Sequence, residues 1–199
     1  MIFNYIAKSF GQIVYKLVVI GSSAGGIPLL QNILMALPKS YPLPIVIVSH
    51  LPSTSFSHLA QLLSRHCLLP VNTVFDKAEI IPGQVFIAPS GYHLLIETQT
   101  QFALSIDPPV QSVRPSIDVL FQSAAEVFEK QLIAVILSGA NRDGVQGIAT
   151  VKALGGLTIV LDPKFAEFNI MPKAVIQATE VEYIVNLEEI IALLQAVKE

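Results

Sequence analysis

The chain has 199 residues, 52% of them hydrophobic, a mean hydropathy of +0.61, 12 basic against 15 acidic residues and a net charge of −3. That length suits one domain with one ample core, and its apolar runs, broken by Gly, Pro and charge, fall far short of the roughly 20 residues that cross a bilayer. The weakly acidic balance offers no basic footprint for nucleic acid, and the single cysteine, Cys67, excludes an intrachain disulfide and fits a reducing, cytoplasmic compartment.

The opening MIFNYIAKSFGQIVYK lacks the basic start, continuous apolar centre and small-residue cleavage site of a leader. Residues 1–15 are therefore expected to form an added strand, helix or arm ahead of one domain over 16–199. Lys16 to Gly21 (KLVVIG) is a β-branched run that ends at glycine and leads through SSAGG into the amphipathic stretch Ile27 to Leu37, which reads as strand, tight turn and helix. Pro38, Pro42 and Pro44 break the chain before a second apolar strand, PIVIVSH, and Phe56 to Arg65 reads as the next helix. A βαβα opening implies a parallel sheet with right-handed crossovers.

The middle reads differently. Val71 to Phe75, Gln84 to Ala88, Tyr92 to Glu97 and Phe102 to Ile106 are short strands with no room for helices between them, so a small antiparallel excursion, a hairpin, is predicted there. After Pro108, Pro109 and Pro115, helical periodicity returns over Ser116 to Lys130, with Ser116 as N-cap. Leu132 to Leu137 is a strand, SGANRDG a glycine-bearing loop, Val145 to Leu154 a helix and Leu157 to Leu161 another strand. Val181 to Val185 adds a last strand before a helix over Leu187 to Val197. The fold class is α/β: a doubly wound, mainly parallel sheet flanked by helices, with a small antiparallel hairpin, in a single domain.

In such a sheet, ligands bind beyond the carboxyl ends of the strands. The first strand ends in Gly21-Ser22-Ser23-Ala24-Gly25, which fits the G-x-S-x-G pattern of a nucleophile elbow centred on Ser23. A packing turn or a phosphate cradle would use the same glycines. The second strand discriminates, because a dinucleotide site wants an acidic residue at its end to hold ribose, whereas PIVIVSH ends in His50, a base for a serine. His58 and His66 fall in or beside a predicted helix and His93 in the hairpin, none at a parallel strand's end. Asp143, in the loop after the strand that ends at Leu137, can orient His50 and stabilise its imidazolium, or serve as a helix N-cap beside Gly144, or do both. Asp118 follows Ser116 inside a predicted helix start, where a carboxylate favours the dipole. Together these residues describe a hydrolase of esters or amides in the chain order Ser, His, Asp, which differs from the order of the common α/β hydrolases.

From Lys16 onward the motifs VVIGSSAGG, IVIVSHLP, IAPSGYHLLIE, VRPSIDVLFQSAA, VILSGANRDGVQGI and LDP…MPKAV resemble the catalytic domain of the CheB family, the chemotaxis protein-glutamate methylesterases. The resemblance implies hydrolysis of glutamyl methyl esters on chemoreceptor helices and deamidation of receptor glutamines, with Ser23, His50 and Asp143 as the triad and no cofactor or metal. It further implies backbone oxyanion donors at Ala24 and Ala140 and a substrate-side loop carrying Arg114, which is equally readable as an ordinary solvated arginine. Ala24 and Ala140 depart from the threonine and methionine frequent in the family, and Arg142 enlarges the aspartate loop. With about fifteen residues ahead of the first strand, no phosphoreceiver domain is expected within the chain. A triad hydrolase for another ester or amide, and a catalytically idle receptor-binding module, are the competing expectations. A nucleotide-binding protein is a more distant one.

Overall fold

The computed structural model describes residues 13–50, 56–65 and 67–197. Apart from residues 13–15, the expected N-terminal arm lies outside the described residues, and so does His66. β1 (Leu17–Ser22) is buried throughout, and its first four residues are apolar because their alternating side chains serve two cores, Leu17 and Val19 on one face of the sheet and Val18 and Ile20 on the other. β2 (Ile45–Ser49) and β7 (Leu132–Ile136) flank it in parallel and divide their side chains in the same way.

Among the described residues the main sheet is seven-stranded and parallel, in the order β3-β4-β2-β1-β7-β8-β9, where β3 is Val71–Thr73, β4 Val85–Ile87, β8 Leu157–Leu161 and β9 Tyr183–Val185. Helices α1 (Gly26–Ala36), α2 (Phe56–Ser64) and α6 (Leu187–Gln195) cover one face. The other is covered by α3 (Ile117–Phe128), α4 (Val145–Ala153) and α5 (Ile170–Ala178), together with the antiparallel hairpin of β5 (His93–Thr98) and β6 (Gln101–Ser105). Connections leave β1 toward β2 but leave β7 toward β8, so the loops after β1 and β7 part in opposite directions and open a crevice at the carboxyl edge.

The expected hairpin is present as β5 and β6, and two further features were not predicted. Of the four middle strands only β5 and β6 pair antiparallel, while β3 and β4 extend the main sheet in parallel. Residues 74–84 make that crossover without a helix because the hairpin supplies their partners: Ile80 N–H donates to Thr100 O at 2.9 Å, and Phe102 N–H donates to Ala78 O at 2.9 Å. Helix α5 had no predicted element at all. Its Pro172 masks the helical pattern, yet proline is tolerated in a first turn, whose N–H groups have no intrahelical acceptor.

The hairpin is held on the core by Phe102, fully buried, whose ring centroid lies 4.9 Å from that of Phe86. Phe102→Ala is expected to lower unfolding free energy by about 3–5 kcal/mol, read from urea denaturation, as for other large-to-small core changes. A loss below about 1 kcal/mol would mean that the hairpin collapses onto the gap and is not anchored by this ring.

Candidate active site

Three strand ends are tied together at the carboxyl edge. Leu137 N–H donates to Gly21 O at 3.0 Å, His50 N–H to Ser22 O at 3.1 Å and Ser23 N–H to Ser138 O at 2.9 Å, which carries the ladder beyond β1, β2 and β7. At the end of β1 two adjacent serines take opposite roles. Ser22 turns inward and donates its hydroxyl to Ser49 Oγ at 3.0 Å, deep in the sheet. Ser23 sits one residue further, at the turn, 8% exposed, and its Oγ has no hydrogen-bond partner among the described residues. The turn requires Gly25, which has a φ of 72° as the N-cap of α1 and where a Cβ would meet Ser138 Oγ at 2.8 Å.

His50 lies at the end of β2 with its ring 11% exposed. Its Nε2 is 2.9 Å from Asp143 Oδ2, with the ring N–H directed off the line between them. Once the ring is protonated, that separation sets its Coulomb attraction to the buried carboxylate. Its Nδ1 faces Asn141 Nδ2 at 3.0 Å.

Asp143 is fully buried. Its Oδ1 accepts from Ser116 Oγ at 2.8 Å and Asp118 N–H at 3.0 Å, and its Oδ2 accepts from Ile117 N–H at 2.6 Å. The carboxylate thus caps the start of α3, a neighbouring helix, whereas α4 begins at Gly144 with no side-chain cap of its own. Asp118, in the first turn of α3, returns the exchange: its Oδ1 accepts from Gly144 N–H at 2.9 Å and Gly147 N–H at 2.7 Å. Burial would raise the Asp143 pKa, but the bond to His50 and the amides of Asp118 and Ile117 outweigh it and hold the carboxyl below its ordinary value. Burial and the adjacent Asp143 charge push Asp118 up to about 6, against the opposing amides of Gly147 and Gly144.

The other residues singled out by sequence fall around this core. Ala24 and Ala140 sit at the rim, half-buried and exposed, and neither backbone N–H has an acceptor among the described residues. Arg114 is half-buried and its Nη1 donates to Ile106 O at 2.7 Å and Asp107 O at 2.9 Å. His93 is buried behind Ser116, where its Nδ1 accepts from Ser116 N–H at 3.2 Å and its Nε2 meets Pro108 O at 3.1 Å. The side chain of His58 lies outside the described residues. Sequence reading missed Asn141. The available signal was an Asn two residues before Asp143, since an Asn side chain often accepts from the N–H two positions on, as it does here at 3.2 Å. Among the described residues no group of His, Cys, Asp or Glu is arranged to hold a metal, and no helix is long and apolar enough to cross a membrane.

A family model described as CheB methylesterase matches residues 18–194. A relative from Leptospira interrogans (serovar copenhageni, strain Fiocruz L1-130) is 46% identical over 179 residues, covering 90% of this chain and 93% of its own; its provisional name is that of a protein-glutamate methylesterase/protein-glutamine glutaminase. The Thermotoga maritima protein-glutamate methylesterase/protein-glutamine glutaminase is 39% identical over 172 residues, which are 85% of this chain but 50% of that longer protein. The crystal structure of the Thermotoga maritima CheB methylesterase catalytic domain superposes with a TM-score of 0.88 at 36% identity, covering 94% of this chain and 100% of that one.

The Asp118 and Asp143 pair predicts a particular pH response. A carboxyl whose folded-state pKa exceeds its unfolded value binds its proton more tightly when folded, so Asp118 adds stability as pH falls from about 6 toward its ordinary value of 3.8. Asp143 acts in the opposite sense: its lowered pKa contributes stability above the ordinary carboxyl value, which is lost as pH falls through the folded value. Urea midpoints measured between pH 7 and 5 are therefore expected to rise for the wild type relative to Asp118→Asn, which keeps an acceptor for Gly144 and Gly147 but cannot titrate. Parallel pH profiles for the two proteins would contradict the assignment.

Proposed function

The chain belongs to the CheB methylesterase family, and on that premise we propose that it is a cytoplasmic chemotaxis enzyme that hydrolyses glutamyl methyl esters on chemoreceptor helices and deamidates receptor glutamines, through Ser23, His50 and Asp143. The observation that carries this reading is the placement of His50 at the edge where β1, β2 and β7 end, 2.9 Å from a buried carboxylate and next to the strand end that holds Ser23.

Ser23 Oγ attacks the side-chain carbonyl carbon while His50 takes its proton, and Asp143 stabilises the imidazolium that forms. The carbonyl oxygen becomes an oxyanion, for which the unengaged amides of Ala24 and Ala140 are the donors. When the tetrahedral species collapses, His50 returns the proton to the leaving atom, the methoxy oxygen of an ester or the amide nitrogen of a glutamine, so methanol or ammonia departs. The acyl group now rests on Ser23. Water, deprotonated by His50, attacks that acyl carbon, and Ser23 leaves with the proton, giving the free glutamate. Alanine in place of a larger side chain at positions 24 and 140 leaves this oxyanion role intact, since backbone N–H groups supply it. Arg114, with Nη1 fixed on two carbonyls and Nε buried, presents Nη2 as a contact for acidic side chains beside the target residue.

Because Ser23 Oγ makes no hydrogen bond within the described protein, removing it leaves the fold undisturbed. Ser23→Ala is expected to reduce methanol release from methyl-esterified receptor to background, a loss on the order of 10⁶-fold for a serine nucleophile, with an unchanged melting curve. Undiminished release would show that another group performs the attack.

A further inference from the structure

The assignment of Ser23 and His50 leaves one contact unexplained, because the ring nitrogen turned away from Asp143 is already occupied. Asn141 Nδ2 lies 3.0 Å from His50 Nδ1, and no hydrogen bond joins Ser23 Oγ to the ring among the described residues. The orientation of the amide follows from its other end. Asn141 Oδ1 faces the backbone N–H of Asp143 at 3.2 Å, a group that can only donate, so the oxygen belongs there and the NH₂ group faces His50. An NH₂ group donates, hence Nδ1 carries the lone pair and Nε2 the proton, which is also the tautomer that suits the Asp143 carboxylate. Two neighbours therefore demand the same tautomer, and Nδ1 is left as the only nitrogen able to accept the proton of Ser23.

We infer that Asn141 is a positioning residue that occupies the basic nitrogen of His50 in the resting enzyme, so that its amide must be displaced before Ser23 is deprotonated. This rests on the hydrolase reading above. Proton balance requires the displacement: once Nδ1 has taken the Ser23 proton it is a donor, and it can no longer accept from the amide. Asn141 therefore competes with Ser23 for Nδ1, while Asp143 faces the other ring nitrogen. Charged groups among the described residues near the ring include Asp143 itself, Asp118 behind it on α3, the exposed Arg142 between Asn141 and Asp143, and Glu167 against the Ser23 turn, where its Oε2 would lie 3.0 Å from a Cβ at Gly25. Asp143 alone already selects the Nε2–H tautomer, so the effect specific to Asn141 is competition for Nδ1.

Ser23 reactivity can be read without any receptor ester, by labelling the intact protein with a fluorophosphonate. Ser23 Oγ bonds to phosphorus, fluoride leaves, and Nδ1 takes the hydroxyl proton. Asn141→Ser keeps a side-chain oxygen able to accept the Asp143 N–H but supplies no second donor to the ring. It is expected to label about three- to tenfold faster than wild type, the size of one competing neutral hydrogen bond. Equal or slower labelling overturns the inference. Asn141→Asp, which retains the turn and sets a carboxylate against Nδ1, should instead move the acid limb of the labelling rate to higher pH; an unmoved limb also overturns it. In the wild type, ¹⁵N correlation spectra of the imidazole in alkaline buffer are expected to show His50 protonated at Nε2 with a bare Nδ1, and an Nδ1–H tautomer would contradict the scheme. Labelling that persists in Ser23→Ala marks a different failure, that of the nucleophile assignment, and removes the inference with it.

Discussion

A carboxylate with no solvent contact has to find its solvation in the protein, and the fold around Asp143 is arranged to supply it. Three hydrogen bonds from the start of α3 and the ring of His50 converge on its two oxygens. Hydrogen bonds to a charged group contribute roughly 1.5–3 kcal/mol each, whereas a buried charge that loses its partner costs about 3–5 kcal/mol. The positive end of α3 adds to this set. Asp118 performs the matching service for α4, so two helix starts are each capped by an acid from the other's neighbourhood. That exchange locks the loop after β7 against α3, and the loop in turn fixes where His50 finds its carboxylate.

The exchange has a chemical consequence. Two acids within one hydrogen-bonded knot cannot both ionise freely, and the asymmetry of their surroundings separates them: Asp143, with a cation-forming partner, is held low, while Asp118, buried and with a like charge beside it, is pushed up to about 6 against its backbone partners. The one kept ionised is the one that faces His50. The same loop contributes Asn141 to the other side of the ring, so a few consecutive residues set both the carboxylate and the amide that flank it. The two ring nitrogens of His50 thus meet two different groups, each positioned by backbone contacts.

Much of this was legible in the sequence because it rests on local chemistry. β1 ends in GSSAG and its neighbour ends in His50; each is an apolar strand with a polar residue at the edge where doubly wound sheets bind ligands. The choice of Ser23 over Ser22 followed from the centring of the glycines, and in the structure Ser22 bonds Ser49 within the sheet while Ser23 lies at the turn beyond it with its Oγ unengaged among the described residues. What escaped was non-local. The parallel pairing of β3 with β4 depends on hydrogen bonds from a hairpin further along the chain, which no window over residues 71–87 contains. Helix α5 hid behind Pro172. The exchange of caps between Asp118 and Asp143, separated by 25 residues along the chain, arises only once α3 and α4 are packed side by side. Asn141 carried a turn signal, yet its contact with His50 spans 91 positions and had no sequence trace.

The central claim is that one buried carboxylate both braces the helix junction and drives His50. It is tested most directly by Asp143→Asn, with methanol release from methyl-esterified receptor and the urea midpoint measured on the same preparation. An amide there returns an NH₂ group where the carboxylate accepted, so turnover is expected to fall by about 10⁴-fold, while stability falls by only about 1–3 kcal/mol and most molecules remain folded. A variant that keeps near-normal turnover, or whose turnover loss is no larger than its unfolded fraction, would contradict the account.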